Sequence, residues 1–163
     1  MYKYKDLEPV LDWREVLREK DVPNVEANVY VEGSYSWQLD DGGIGIFITD
    51  ELGTKLFAEY KNIDDEDNDI RFRSACATEL NAALRAIKVV RAIGIKKINL
   101  IYDCNAIKDS LIATRTKSDE LFQYRNFMAN LIEGLEVNFR HAKYYKHAIH
   151  NNAHRLSSTY LAS

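Results

Sequence analysis

Three carboxylates stand at positions where chemistry could be done. Glu32 closes the extended run Asn28-Val-Tyr-Val-Glu32, Glu79 lies near the start of a long helical stretch, and Asp103 follows at once on Lys96-Lys-Ile-Asn-Leu-Ile-Tyr102. Carboxylates gathered at one point repel one another and stay ionised only with a cation among them, and oxygen donors of this kind suit Mg²⁺ or Mn²⁺. Two such ions about 3.5–4 Å apart would activate a water and stabilise the leaving oxygen of a phosphodiester. Spacing alone equally allows three separately solvated side chains, since acidic residues are usually exposed. The chemistry requires that the strands carrying Glu32 and Asp103 be neighbours.

The elements that must position them can be read along the chain. Leu7, Val10, Leu11, Val16 and Leu17 predict an amphipathic helix over 7–20, with Asp6 as N-cap and Pro9 in its first turn. Asp21-Val-Pro-Asn24 breaks it, and the run 28–32 reads as a strand ending at Gly33-Ser34. A glycine-bearing loop, Asp40-Asp-Gly-Gly43, leads to a second strand, Ile44–Thr49; a turn at 50–53 and a return strand, 54–60, follow, with Lys55 and Glu59 on its wet face. The acidic segment 64–69 lacks the glycine and the terminal glutamate of a calcium loop and reads as solvated loop.

Cys76, Leu80, Ala83, Leu84, Ile87 and Val90 then recur at helical spacing, predicting a helix from Ser74 to Ile93 stopped by Gly94. A strand over Lys96–Tyr102, a short helix over Asn105–Ala113, and a helix from Ser118 through Leu131, ended by Gly134, come next. A last strand, Leu135–Ala142, and a last helix from about Asn151 close the chain. This order predicts an α/β domain with a mixed sheet.

At 163 residues the chain has room for one substantial core, which leaves 1–27 as a helical extension and 28–163 as the domain. No apolar run reaches the roughly 20 residues that cross a bilayer, and the opening residues lack the apolar stretch of a secretory signal, so a cytoplasmic protein without membrane contact is expected. Cys76 and Cys104 form neither a disulfide framework nor a zinc spacing and read as reduced thiols. The net charge of −3 is not that of a broadly basic nucleic-acid binder, so any grip on phosphate must be local.

Val29-Tyr-Val-Glu-Gly-Ser-Tyr35, Gly42-Gly-Ile-Gly45, Thr78-Glu-Leu-Asn-Ala-Ala83 and Ile101-Tyr-Asp-Cys-Asn105, in this order, resemble the motifs of type 1 ribonuclease H. The likeness spans about Asn28 to Ser158 and is nearest to the branch fused to viroplasmin-like modules, where a segment like Gln123-Tyr-Arg-Asn-Phe-Met128 precedes the last strand. It implies a ribonuclease H-like fold with a five-stranded mixed sheet, three antiparallel strands and then two parallel. It also implies a metal-dependent endonuclease that hydrolyses the RNA strand of RNA/DNA hybrids.

By position, the resemblance makes Glu32, Glu79 and Asp103 metal ligands, with Glu32 replacing the family's Asp. His154 stands where the fourth carboxylate belongs; histidine as a ligand favours Mn²⁺, and the ordinary surface reading of the His-rich segment is equally open. His147 would assist proton transfer or product release. Gly33 and Ser34 would bring backbone close to the RNA strand, and Asn81 and Asn105 would read 2′-hydroxyls in the minor groove. Of the basic residues Lys108, Arg115, Lys117, Arg125, Lys143 and Lys146, the last two are the expected substrate grips. The altered first and fourth positions sustain an alternative, a degenerate domain that binds nucleic acid or protein without cleaving. A protein partner could cover the N-terminal helix.

Overall fold

The computed structural model describes residues 26–63, 74–113 and 118–144. The helix expected over 7–20, the acidic segment 64–69 and the final helix from Asn151 lie outside those residues. Three strands come first: β1 (Glu26–Ser36), β2 (Asp41–Asp50) and β3 (Lys55–Ile63). Helix α1 (Ala75–Ile93) leads to β4 (Lys97–Tyr102), then α2 (Ala106–Ile112), α3 (Asp119–Leu131) and β5 (Glu136–His141).

The strands form one sheet in the order β3-β2-β1-β4-β5. β1–β2 and β2–β3 pair antiparallel, whereas β1–β4 and β4–β5 pair parallel. This is the mixed sheet expected from the sequence, with β1 and β4 adjacent.

Alternation along the strands decides which residues meet the helices. Val29, Val31, Ile44, Ile46, Ile48 and Leu100 pack with Leu80, Ala83, Leu84 and Ile87 of α1 and with Tyr124 and Met128 of α3 in the main core. Burying each of the larger side chains contributes about 1.5–3 kcal/mol. Tyr30 and Ile101, with the opposite parity, join Ala142 and Phe47 in a second cluster.

Local chemistry fixes the ends of α1. Ser74 accepts from the Ala77 N–H at its start, and Gly94, at φ +97°, turns the chain out in the left-handed region and donates to the Val90 carbonyl. At its far end Arg91 reaches the carbonyls of Leu131 and Glu133 at 3.0 and 2.7 Å, tying α1 to the end of α3. The Tyr124 hydroxyl donates to the Ile107 carbonyl at 2.6 Å and joins α3 to α2.

Three sequence expectations are corrected. β1 does not stop at Gly33-Ser34: both pair with β2, opposite Ile44 and Gly43, and the strand runs on to Ser36. Gly42 and Gly43 likewise belong to β2, so the connection shrinks to 37–40, where Asp40 takes φ +47° and accepts from the Tyr35 hydroxyl. Glu59 is not on a wet face. It is 7% exposed because Arg85 of α1, 1% exposed, crosses to it, with Nη2 donating to Oε2 at 2.7 Å and Nε facing Oε1. Burial pulls the Arg85 guanidinium down to about 9, which leaves it charged at pH 7.

Candidate active site

The parallel register that sets Tyr30 opposite Ile101, carried two residues further, brings Glu32 level with Asp103. By alternation Glu32 leaves the sheet on the side of Tyr30, away from the core that α1 covers, and Asp103 stands just past the end of β4. Glu79 comes from α1. Its Oε2 accepts from the backbone N–H of Asp103 at 3.0 Å and of Cys104 at 2.5 Å, so the side chain spans from the helix to the end of β4.

Gly33 explains how the helix comes so close. A Cβ at this position would lie 2.3 Å from the Glu79 nitrogen and 2.7 Å from the Thr78 carbonyl carbon. Only a residue without a side chain lets β1 touch the backbone of α1 just where Glu79 departs. Its observed part is thus to seat the helix against the strand that bears Glu32.

Glu32 and Glu79 are buried, at 6% and 3% exposure, while Asp103 is exposed. Burial and then the charge of Glu32 push the Glu79 carboxyl from 4.5 up to about 9; the Cys104 and Asp103 N–H groups pull the other way, and the charge of Asp103 adds to the rise. Glu32 and Asp103 therefore both lie near enough to act on Glu79. All-oxygen donors under mutual repulsion fit a hard divalent cation in charge and in donor type. Among the described residues, Glu32, Glu79 and Asp103 included, no group of three or more Asp, Glu, His or Cys side chains is placed to hold a metal ion, so the match to a cation is one of donor type and not of geometry. His154, the fourth member expected, lies outside those residues, as do His147 and Lys146.

Around the last residues of β4 and β5, and next in sequence to Asp103, opens a cavity of about 550 Å³. Asn105 and Lys143 line it together with Lys108, Arg140 and His141, and Asp109 is its acidic member. The Lys143 N–H donates to His141 Nδ1 at 3.1 Å, and the His141 ring meets Tyr102 edge-on at 5.6 Å, which orients the imidazole at the rim. Arg140 and His141 are not among the candidate residues of the sequence; the signal that could have marked them is their place at the end of a strand parallel to the one that precedes Asp103. Asn81 lies elsewhere. It is 4% exposed, and its amide donates to the Ala77 carbonyl at 3.3 Å. Ser34 is half-buried in β1 opposite Gly43.

The expectation of two reduced cysteines is overturned. Cys76, in the first turn of α1, and Cys104, just beyond β4, form a disulfide with a Cα–Cα distance of 5.4 Å. Two cysteines 28 residues apart say nothing by themselves of proximity; the packing of α1 on β1 beside β4 creates it.

The mixed sheet in this strand order with α1 across it is the ribonuclease H-like fold, and solved structures match it. The ribonuclease H1 of the halophilic archaeon Halobacterium salinarum superposes with a TM-score of 0.70 at 17% identity, covering 84% of this chain and 98% of that one. The N-terminal ribonuclease H domain of rv2228c from Mycobacterium tuberculosis gives 0.70 at 13% identity, covering 85% and 95%. LC11 ribonuclease H1 in complex with an RNA/DNA hybrid gives 0.66 at 19% identity, covering 84% and 99%. No protein-family model matches the sequence, and no curated protein matches it. Among the described residues no helix is long and apolar enough to cross a membrane.

Proposed function

We propose that this chain is a divalent-metal-dependent endonuclease that hydrolyses the RNA strand of RNA/DNA hybrids. The observation that carries the reading is that Glu79 of α1 reaches the backbone of Asp103 at the end of β4 and that, after burial, the charges of Glu32 and Asp103 both act on its carboxyl. Its support from outside the chain is the likeness in fold to ribonucleases H1, one of them solved with a hybrid.

In this reading Glu32, Glu79 and Asp103 would hold Mg²⁺ or Mn²⁺, with His154 as the fourth ligand. The ion would supply the charge that activates water and steadies the leaving oxygen of the phosphodiester. The remaining work falls to the chain itself. Gly33 keeps α1 seated on β1 so that Glu79 reaches the end of β4. The Asp103 and Cys104 N–H groups fix one oxygen of Glu79. Asn105 and Lys143, joined by Lys108 and Arg140, offer donors and positive charge to the sugar–phosphate backbone beside it. His147 serves as the proton carrier.

The test is cleavage of a labelled RNA/DNA hybrid in Mg²⁺ and in Mn²⁺ by wild type, Asp103→Asn and Glu79→Gln. Metal-dependent cleavage that falls by at least about a hundredfold in both variants is expected. Equal cleavage in all three, or none in wild type, would sink the reading.

One observation favours a second reading, a domain that binds hybrids without cutting them. Glu79 already spends one oxygen on two backbone N–H groups, as a carboxylate with a purely structural task would. Calorimetry separates the two: a divalent-ion site lost in Glu79→Gln supports the nuclease, and hybrid binding with no ion site supports the binding module.

A further inference from the structure

We propose that the Cys76–Cys104 pair is a thiol–disulfide exchange site for a small dithiol reductant, and that its oxidation state sets the firmness of the acidic centre. The second half of this statement rests on the reading of Glu79 and Asp103 given above; the first does not.

The placement of the pair carries the inference. Cys76 is exposed and sits three residues before Glu79 on α1. Cys104 is half-buried, follows Asp103 directly, and donates its N–H to Glu79 Oε2. The covalent bond and that hydrogen bond close a small ring through Glu79, so the link clamps the helix bearing one acidic residue to the turn bearing another. A cavity of about 220 Å³ adjoins Cys76, between the start of α1 and the start of α3, lined by Ser74, Ala77, Leu80, Ser118 and Leu121 among others. Cys76, itself exposed, forms part of its wall, as does Glu120, so a small thiol can approach the pair from this side. Exchange follows access, and reactive disulfides are the accessible ones.

The reaction balances in two steps. A thiolate of the reductant attacks Cys76 Sγ, the S–S bond breaks, and its electron pair leaves on Cys104 Sγ, which takes up a proton. The second thiolate of the reductant then attacks its own sulfur in the mixed disulfide, and the pair leaves on Cys76 Sγ, which is protonated in turn. Overall the dithiol is oxidised to a disulfide while the protein gains two electrons and two protons as two thiols. Afterwards only hydrogen bonds hold the Asp103–Cys104 turn to Glu79, and they open more often.

The experiment uses the full chain, metal-free, purified without reductant and then equilibrated across ratios of reduced to oxidised dithiothreitol. Thiol titration of the denatured protein counts free sulfurs, and amide hydrogen exchange reads Asp103 and Cys104. Expected are no free thiols before reduction and two after, with the two amides exchanging about tenfold faster once reduced. Cys76→Ser should show the faster exchange whether or not reductant is present. Two free thiols that no oxidised dithiothreitol removes would overturn the exchange site, and equal exchange of both amides in the two states would overturn the clamp. Neither readout needs nuclease activity, so a protein that cleaves no hybrid counts against the proposed function alone.

Discussion

Gly33 and Glu79 together set the geometry of the acidic centre, and each can be tested by a change of a few atoms. Gly33→Ala puts a methyl 2.3 Å from the Glu79 nitrogen, against backbone that has no rotamer to give way. The variant should lose about 2–3 kcal/mol in urea unfolding, as over-packed sites do, and its ion affinity should fall because α1 must lift. Glu79 bears on pH dependence. Its carboxyl, ordinarily near 4.5, titrates near 9 in the fold, so its favourable contribution is complete below pH 4.5 and is lost as pH rises towards 9. Glu79→Gln keeps an acceptor for the Asp103 and Cys104 N–H groups and removes that loss. In chelator, variant and wild type should match in stability near pH 4.5, and the variant should lead by at least about 1–2 kcal/mol at pH 8.5. Parallel pH profiles would refute the assignment.

At the scale of elements, the Arg85–Glu59 pair fastens α1 to β3 from inside the core. Glu59→Gln takes the opposite charge away from a buried guanidinium and should cost about 3–5 kcal/mol in chemical denaturation, while the double change Glu59→Leu with Arg85→Met should recover most of it. This pair also shows where the sequence stops being legible. The bounds of α1 were readable because Ser74 and Gly94 act on their own neighbours along the chain. Glu59 was not, since its burial depends on a residue of another element, and Gly33 suggested a strand end because the reason for a glycine there is a helix that arrives much later in sequence. The same holds for Cys76 and Cys104, which only the docked helix brings together. The acidic trio was named from the ordered motifs and not from spacing, since Glu32 lies inside β1 and nothing local marks it; of the cavity's lining, Asn105 and Lys143 were named and Arg140 was not, because the cavity is shared between α2 and β5.

For the molecule as a whole, a net charge of −3 means that attraction for nucleic acid must come from a local patch. The cavity lined by Lys108, Arg140 and Lys143 is where the structure concentrates positive charge, around the last residues of β4 and β5. The double variant Arg140→Gln with Lys143→Gln should weaken hybrid binding and make the log–log dependence of affinity on salt shallower by about 1–2. An unchanged slope would show that the hybrid runs elsewhere. Finally, β1 sits at the centre of the sheet, with β2 on one edge and β4 on the other. As the chain leaves the ribosome, the β1–β2–β3 meander can form at once, but the second edge of β1 stays bare until residues 97–102 have been made and can reach it. Synthesis therefore passes through a stage in which a hydrophobic strand edge is open to other chains. Because Asp103 comes just after the strand that closes that edge, the acidic centre comes into being in the same event that ends the exposure.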